Sequence, residues 1–240
     1  MSRVRQIDAQ ERERLAPLLN RHSASDALAA YCALIHPMEK VKLYVSFDGG
    51  GHPNSFLAIA QTGMDLFRPL AVPFVASSKN LWDLLEAALI PGQPVLLYLP
   101  LEQRDWLDES LILSETKITE LLRLDPSGFK PILNVLVMSV NMPSGLPRFE
   151  IRSRSGSSAA AGISWIGDRF AEIYLEADRE AQIRGMGISV IAAMSKQLLE
   201  ENRIPLFGLD SQTELEFKDL SEIGYRSTGT RTLIAQVLKT

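Results

Sequence analysis

Leu and Ala recur at helical spacing among charged residues over 9–20 and again over 25–36, the second run preceded by Ser23 and Ser25 as capping residues. This pattern predicts two helices behind a short opening strand. Short β-branched and aromatic runs at 41–47 and 55–61 flank Asp48-Gly49-Gly50-Gly51-His52-Pro53-Asn54, which reads as a hairpin. A run at 70–76, a helix over 79–90 and an apolar strand at 94–99 after the Pro91-Gly92 turn then alternate strand with helix. A short helix over 102–109 and a strand over 111–117 follow, until Asp125-Pro126-Ser127-Gly128 interrupts the pattern. The domain boundary is expected there, giving units 1–127 and 128–240.

The second half opens with a strand at 132–140, turns through 143–147, and continues as strands near 148–154, 159–166 and 170–177. A helix over about 187–202 follows, with Ile188, Ile191, Met194 and Leu198 at helical spacing, then a strand at 205–209. Residues 213–223 read as a helix with Leu215 and Leu220 inward and Gly224 at its end, before a last strand over 230–238. The fold class is α/β (α+β): a mixed central sheet flanked by helices.

With 240 residues, 46% of them hydrophobic and 22% charged, a packed core is expected. A formal charge of -4 argues against a nucleic-acid partner and leaves small molecules or proteins. Cys32 stands alone, so neither an intramolecular disulfide nor a cysteine-based zinc site can form, which points to a reducing cytoplasm. The charged opening, Met1-Ser2-Arg3-Val4-Arg5, is unlike a signal peptide, and no apolar run nears the ~20 residues that span a bilayer; a soluble chain without membrane contact is expected. His22, His36 and His52 form no i, i+4 pair, so no metal is expected. Gly49 to Gly51 suit a hairpin tip, Arg152 to Ser158 a turn, and Trp82, Trp106 and Trp165 the cores. Oligomeric state is left open.

The segment with candidate chemistry is Gln182-Ile183-Arg184-Gly185-Met186-Gly187, between a strand ending at Ala177 and a helix beginning near Ile188. Two glycines let the backbone approach a ligand, and the following helix start offers N–H groups and a positive dipole end to a pyrophosphate. An ordinary strand-to-helix turn needing two glycines is the simpler alternative. A dinucleotide-binding reading fits less well: the first glycine of Gly-x-Gly-x-x-Gly is absent, and four successive strands precede the loop, although Asp210 ends the next strand. No Gly-Lys-Ser/Thr follows any glycine cluster, which removes a phosphate-loop NTPase.

At this loop the sequence resembles the GNAT superfamily of acyl-CoA-dependent N-acyltransferases, best over 148–238: strand, hairpin, strand, Gln182-x-x-Gly185-x-Gly187, helix, strand, helix, then Ile223-Gly224-Tyr225 in place of that family's Leu-Gly-Phe. The resemblance implies that the loop amides, Gln182 to Gly187, hold the pyrophosphate of acetyl-CoA as acyl donor. It also implies that the preceding strand pairs with the pantetheine arm through a splay between central strands. Leu175 and Ala177 would then supply backbone contacts, with Ala177 nearest the thioester, where an amide stabilises the tetrahedral oxyanion.

Glu172, in Phe170-Ala171-Glu172-Ile173, resembles the general base of histone-type members. This chain has one residue fewer between Glu172 and Gln182 than they do, which reverses the sheet face unless a bulge compensates, so Glu176, farther along the same face, is the alternate. Exposed carboxylates on a half-buried strand are the bland reading of both. Leu220 stands where many members have a Tyr that protonates the CoA thiolate, and Thr213 where they have an Asn; Ser221 or Tyr225 could substitute as acid. The element order of the first half also follows the GNAT plan, but with Ser77-Ser78-Lys79-Asn80 where the pyrophosphate loop would be. The arrangement is similar to tandem members such as mycothiol synthase, with a degenerate N-terminal half. Because the second half has only 141–147 between its first strands, and no helices, the N-terminal half would help shape the acceptor pocket. The activity implied is transfer of an acetyl group from acetyl-CoA to a small-molecule or peptide amine by direct attack. The alternative is a non-catalytic acyl-CoA-sensing or protein-interaction module.

Overall fold

The computed structural model describes residues 3–63, 65, 67–142, 145–154, 156–210 and 215–240. The chain divides into two compact units, Met1–Ile118 with Arg231–Thr240, and Thr119–Thr230. The border differs from the 127/128 position expected from the Asp-Pro-Ser-Gly break. Two strands, Leu111–Leu124 (β6) and Tyr225–Lys239 (β12), are long enough to serve both units, so each border falls inside a strand.

In the first unit, β1 (Arg3–Ile7) pairs antiparallel with β2 (Val41–Phe47), β2 with β3 (Pro53–Ala60), and β3 with β4 (Leu70–Phe74). The β2–β3 tip is tied by Asp48, whose Oδ1 accepts from the amides of Gly50 (2.8 Å) and His52 (2.9 Å). After α2 (Ser78–Ala88) comes β5 (Val95–Pro100), parallel to β4 and antiparallel to the end of β12; the strand order is β1-β2-β3-β4-β5-β12-β6. Leu81, Leu84 and Leu85 of α2 pack with Leu57, Ala71, Leu97, Ala235 and Val237 on one face. The other face, with Leu43, Val45, Phe56 and Ala58, carries Leu15 and the segment Ala29 to Ala33.

The two expected helices of this unit are shorter and irregular. Residues 9–20 form only a 3-10 turn, Arg12–Leu18, because Pro17 lies inside it and lacks the N–H that an α-helix needs there. The second is α1 (Ala27–Ala30), continued as a π turn at Tyr31–Ile35 and stopped before Pro37. Ser23 and Ser25 bond to each other rather than capping it.

In the second unit the order is β12-β6-β11-β10-β9-β8-β7, where β7 is Met138–Asn141, β8 Pro147–Arg152, β9 Ser158–Ile166, β10 Phe170–Ala177 and β11 Ile204–Asp210. β10 and β11 run parallel, whereas β7–β8, β8–β9, β9–β10 and β6–β11 run antiparallel. The strand expected over 132–140 shrinks to β7, since Asn134 makes a turn: its Oδ1 accepts from Leu136 N (3.0 Å) and its carbonyl from Val137 N (3.1 Å). Three helices follow β10 in the chain, α3 (Arg179–Ile183), α4 (Met186–Glu200) and α5 (Phe217–Glu222). Val190, Ile191, Met194 and Leu198 of α4 pack with Ala171, Ile173, Phe207 and Tyr225. Burying each of those α4 side chains stabilises by about 1.5–3 kcal/mol as an upper figure, which holds α4 against β10 and sets where its first turn lies.

Candidate functional site

β10 pairs with β11 only from Phe170↔Ile204 to Ile173↔Phe207. Beyond that point β11 continues against β6, through Asp210↔Thr119, while β10 continues against β9, through Ala177↔Ala159. The two central strands therefore part after four residue pairs. Asp178 N–H is bonded to Ser158 O on the β9 side (3.2 Å). Backbone groups of successive strand residues point to alternate neighbours, so those of Ala177 and Leu175 face the gap. Leu175 lies one step nearer the closed end than Ala177.

The gap leads to the start of α4. Gly185 takes φ +69°, the left-handed conformation that any side chain would strain, and acts as its N-cap. The first-turn amides of Met186, Gly187 and Ile188 are the donors that a helix start leaves open. A side chain at Gly187 would begin 3.3 Å from Leu175 Cδ2, so this glycine also lets α4 sit close to β10. The expected plain loop contains α3. Asp178 caps it, one oxygen accepting from Ala181 N (2.9 Å) and the other from Ser158 N (2.5 Å). These amide bonds hold the Asp178 carboxyl below the usual carboxylate range. The amides of Gln182, Arg184 and Gly185 are bonded to carbonyls within the same loop. The Arg184 guanidinium pairs with Glu180, and Ile183 is exposed. Gln182 Nε2 donates to the Ala177 carbonyl (3.1 Å), and its Oε1 is buried without a partner among the described residues.

Side chains alternate along β10. Ile173, Leu175 and Ala177 face the core beneath α4, whereas Glu172, Tyr174 and Glu176 share the other face. The register jumps between Glu172↔Trp165 and Ile173↔Ile163, so the extra residue is Ser164 in β9. Glu172 Oε2 accepts from Trp165 Nε1 (2.6 Å). Glu176 is paired with Arg148 on β8 (2.6 Å), which also donates to Tyr174 Oη (2.8 Å) and Glu150 (2.8 Å). Those bonds, Glu176 first, raise the Arg148 pKa and hold Glu150 below the usual range. Glu172 and Glu176 thus differ: the first is half-buried at the closed end of the gap, the second exposed and ion-paired.

On α5, Leu220 is fully buried in the core. Ser221 Oγ donates to the Lys218 carbonyl (2.7 Å). Tyr225 is fully buried, its hydroxyl sharing a hydrogen bond with Ser195 (2.8 Å) and its ring edge-on to Phe207, and burial raises its pKa. It is a core aromatic. Thr213 lies outside the described residues. Sequence reasoning placed Trp165 in the core and passed over Tyr174 and Arg148. The Gly167-Asp168 turn carries the missing signal for Trp165, because a hairpin closed there sets residue 165 opposite 172.

The first unit repeats the parting of strands, since β4 and β5 pair only at Leu70↔Leu96 and Ala71↔Leu97. Its helix start is closed differently: Ser77 Oγ accepts from Asn80 N (3.2 Å), so the chain's own side chain serves as cap of α2. Among the described residues, no three His, Cys, Asp or Glu side chains are grouped as metal ligands.

No protein-family model matches this sequence, and no curated protein matches it. Solved structures do. The chain is similar to a Drosophila protein at TM-score 0.67 and 15% identity, over 100% of this chain and 99% of that one. It is similar to a tandem GNAT protein from the clavulanic acid biosynthesis pathway at TM-score 0.56 and 11% identity, over 98% of each. A GNAT-family acetyltransferase from Colwellia psychrerythraea aligns at TM-score 0.54 and 10% identity, over 98% of this chain and 99% of that one. At such identities the likeness is one of fold: the chain has the GNAT fold, in a tandem arrangement.

Proposed function

We propose that the second unit is an acyl-CoA-dependent N-acyltransferase that moves an acetyl group from acetyl-CoA to a primary amine by direct attack. The observation that carries this is the parting of β10 from β11 after Ile173↔Phe207, with the open start of α4 beyond it. An extended donor suits that gap, where Leu175 and Ala177 present backbone groups. The residues fit its pyrophosphate through the amides of Met186, Gly187 and Ile188, with the neighbouring Gln182, Arg184 and Gly185 shaping the turn. The Ala177 N–H remains on the gap side while its carbonyl is held by Gln182.

The amine must be neutral to attack, and Glu172 on the face away from α4 takes its proton as the C–N bond forms. The C–S bond then breaks and the electron pair leaves on the CoA sulfur. With a thiol pKa near ~8.5, the thiolate departs without an acid, so a buried Leu220 in the usual Tyr position does not forbid turnover. Glu176 is the weaker base candidate because Arg148 holds it, and Ser221 the weaker acid because Lys218 O already accepts its proton.

Thermal unfolding with acetyl-CoA, followed by thiol release across an amine panel, tests this. At a hundredfold excess over Kd, binding adds about 2.7 kcal/mol, or roughly 5–11 °C for a chain of this size. Glu172→Gln is expected to bind acetyl-CoA as before and to lose about 10²- to 10⁴-fold in turnover. Leu220 and the locked Tyr225 favour a second reading, an acyl-CoA-sensing module: a thermal shift with no thiol release from any amine supports it. No shift at all sinks both, leaving a protein-interaction module.

A further inference from the structure

The sheet of the first unit runs on past the end of α2, and a groove of about 940 Å³ lies there, lined by residues of that unit alone. Lys42 pairs with Ile59 and Ile59 with Ala71, so the three share the face on which α2 packs. α2 stops at Ala88, which leaves Lys42, Tyr44 and Ile59 as the floor of the groove. Its two sides differ. Toward β4 and β5 the wall is Phe67, Pro69, Ile90 and Pro94, with Phe67 90% and Ile90 52% exposed. Large apolar side chains gathered at one hollow and turned to water mark a surface that binds something. Toward β1 and β2 the wall is charged. There Arg5 is held by Glu11 (2.6 Å), and Asp8 Oδ1 accepts from the amides of Gln10 (2.9 Å) and Glu11 (3.2 Å). The ammonium groups of Lys40 and Lys42 have no hydrogen bond or ion pair among the described residues, and Glu39 is exposed beside Lys40 in the turn Met38–Lys40.

We propose that this groove binds a monocarboxylate with an apolar chain, its carboxylate between Lys40 and Lys42 and its chain across Ile59 toward Phe67 and Ile90. Its volume falls within the ~300–1,000 Å³ of small-molecule pockets. Covering Ile59, Phe67 and Ile90 removes apolar surface of both partners from water, which favours association. The lysine stems extend that surface beneath the chain while their ammonium groups stay at the head. The direction of the ligand follows from α2: the carbonyl end of a helix repels an anion, and α2 ends at the groove with Ala88. The carboxylate therefore lies on the β1–β2 side with the lysines, and the chain lies under the end of α2. A cationic head would meet two ammonium groups there, and a neutral head would leave both without a counter-charge. The site stands apart from the acyl-donor gap, which is built from β10, β11 and α4 of the second unit.

The test is a titration of the full chain, followed by isoleucine-methyl resonances, with three amphiphiles below their micelle concentrations: decanoate, decyltrimethylammonium and the neutral N-decanoyl-N-methylglucamide. Decanoate is expected to move the methyl signals of Ile59 and Ile90 and to leave that of Ile191, in the core of the second unit, in place. Wild type is expected to prefer decanoate over the neutral amphiphile by about three- to tenfold, between the worth of an exposed ion pair and that of a hydrogen bond to a charged group, and to bind the cation least. Lys40→Met/Lys42→Met is expected to lose that preference and to bind the neutral amphiphile as wild type does. Phe67→Ser is expected to weaken both. A preference that survives the double lysine substitution, equal binding of decanoate and the cation, or movement of Ile191 in place of Ile59 and Ile90 overturns the assignment, as does no response to decanoate at all. The lysine pair is exposed and decides the matter should Phe67→Ser fail to fold.

Discussion

Tyr174 lies across β9 at Gly162, its direct partner in the β9–β10 register, and a Cβ there would stand 2.4 Å from the phenol ring and its oxygen. The ring has little freedom to yield, because Arg148 donates to its hydroxyl and lies 5.9 Å from its centroid. Gly162→Ala is therefore expected to displace Tyr174 and cost about 1–3 kcal/mol, read as a lower urea midpoint with an unchanged slope. If the midpoint does not move, the ring is not held as described. The displacement would also loosen Arg148 from Glu176, at a surface pair worth only ~0–1 kcal/mol, so the larger part of the loss comes from the clash. Gly162 and Gly208 mark the same principle on the two strands that flank β10: each leaves room that a side chain from elsewhere occupies, Tyr174 at the first and Thr119 at the second.

At the scale of elements, the strands were legible because alternation and β-branched runs report directly on a half-buried sheet; 41–47 and 170–177 match β2 and β10 residue for residue. The helix expected at 9–20 failed on Pro17, and the strand expected at 132–140 failed on Asn134, both local features inside an otherwise regular pattern. α3 was missed because its cap, Asp178, stands just before the glycine loop and reads as part of it. Glu172 was legible as a half-buried carboxylate on β10. Arg148 was not: its bonds to Tyr174 and Glu176 span 26 and 28 residues, which no local pattern encodes. The Asp178 cap has a pH consequence. Its folded pKa is lowered, so its stabilisation is complete above the unfolded value of ~3.9 and is lost as pH falls through the folded value. Amide exchange in residues 179–184 is expected to accelerate on that descent relative to α4, and Asp178→Asn to remove this pH dependence. Equal protection in both segments down to the acid transition would contradict it.

For the whole molecule, the expected cut at 127/128 passes through neither of the shared strands and yet separates the partners that each unit needs. Residues 231–240 belong to the first unit: Thr232 to Val237 pair with β5, Ala235 and Val237 are fully buried beside α2, and Lys239 Nζ bonds Glu86 (2.7 Å). The second unit needs residues 119–124 in turn, where Leu122 and Leu124 are fully buried in its core and Leu206 to Asp210 pair against them. Fragments 1–127 and 128–240 each lack a strand segment and leave an apolar face uncovered. Neither is expected to fold alone, and a mixture is expected to regain the far-ultraviolet signal and cooperative unfolding of the intact chain. A chain ending at Thr230 separates the two effects: exchange should speed up in β5 and α2, which lose Thr232 to Val237, while β10 and α4 keep their protection. Unchanged exchange in β5 would show that the first unit stands without the end of β12, and the border would then return to the Asp-Pro-Ser-Gly break.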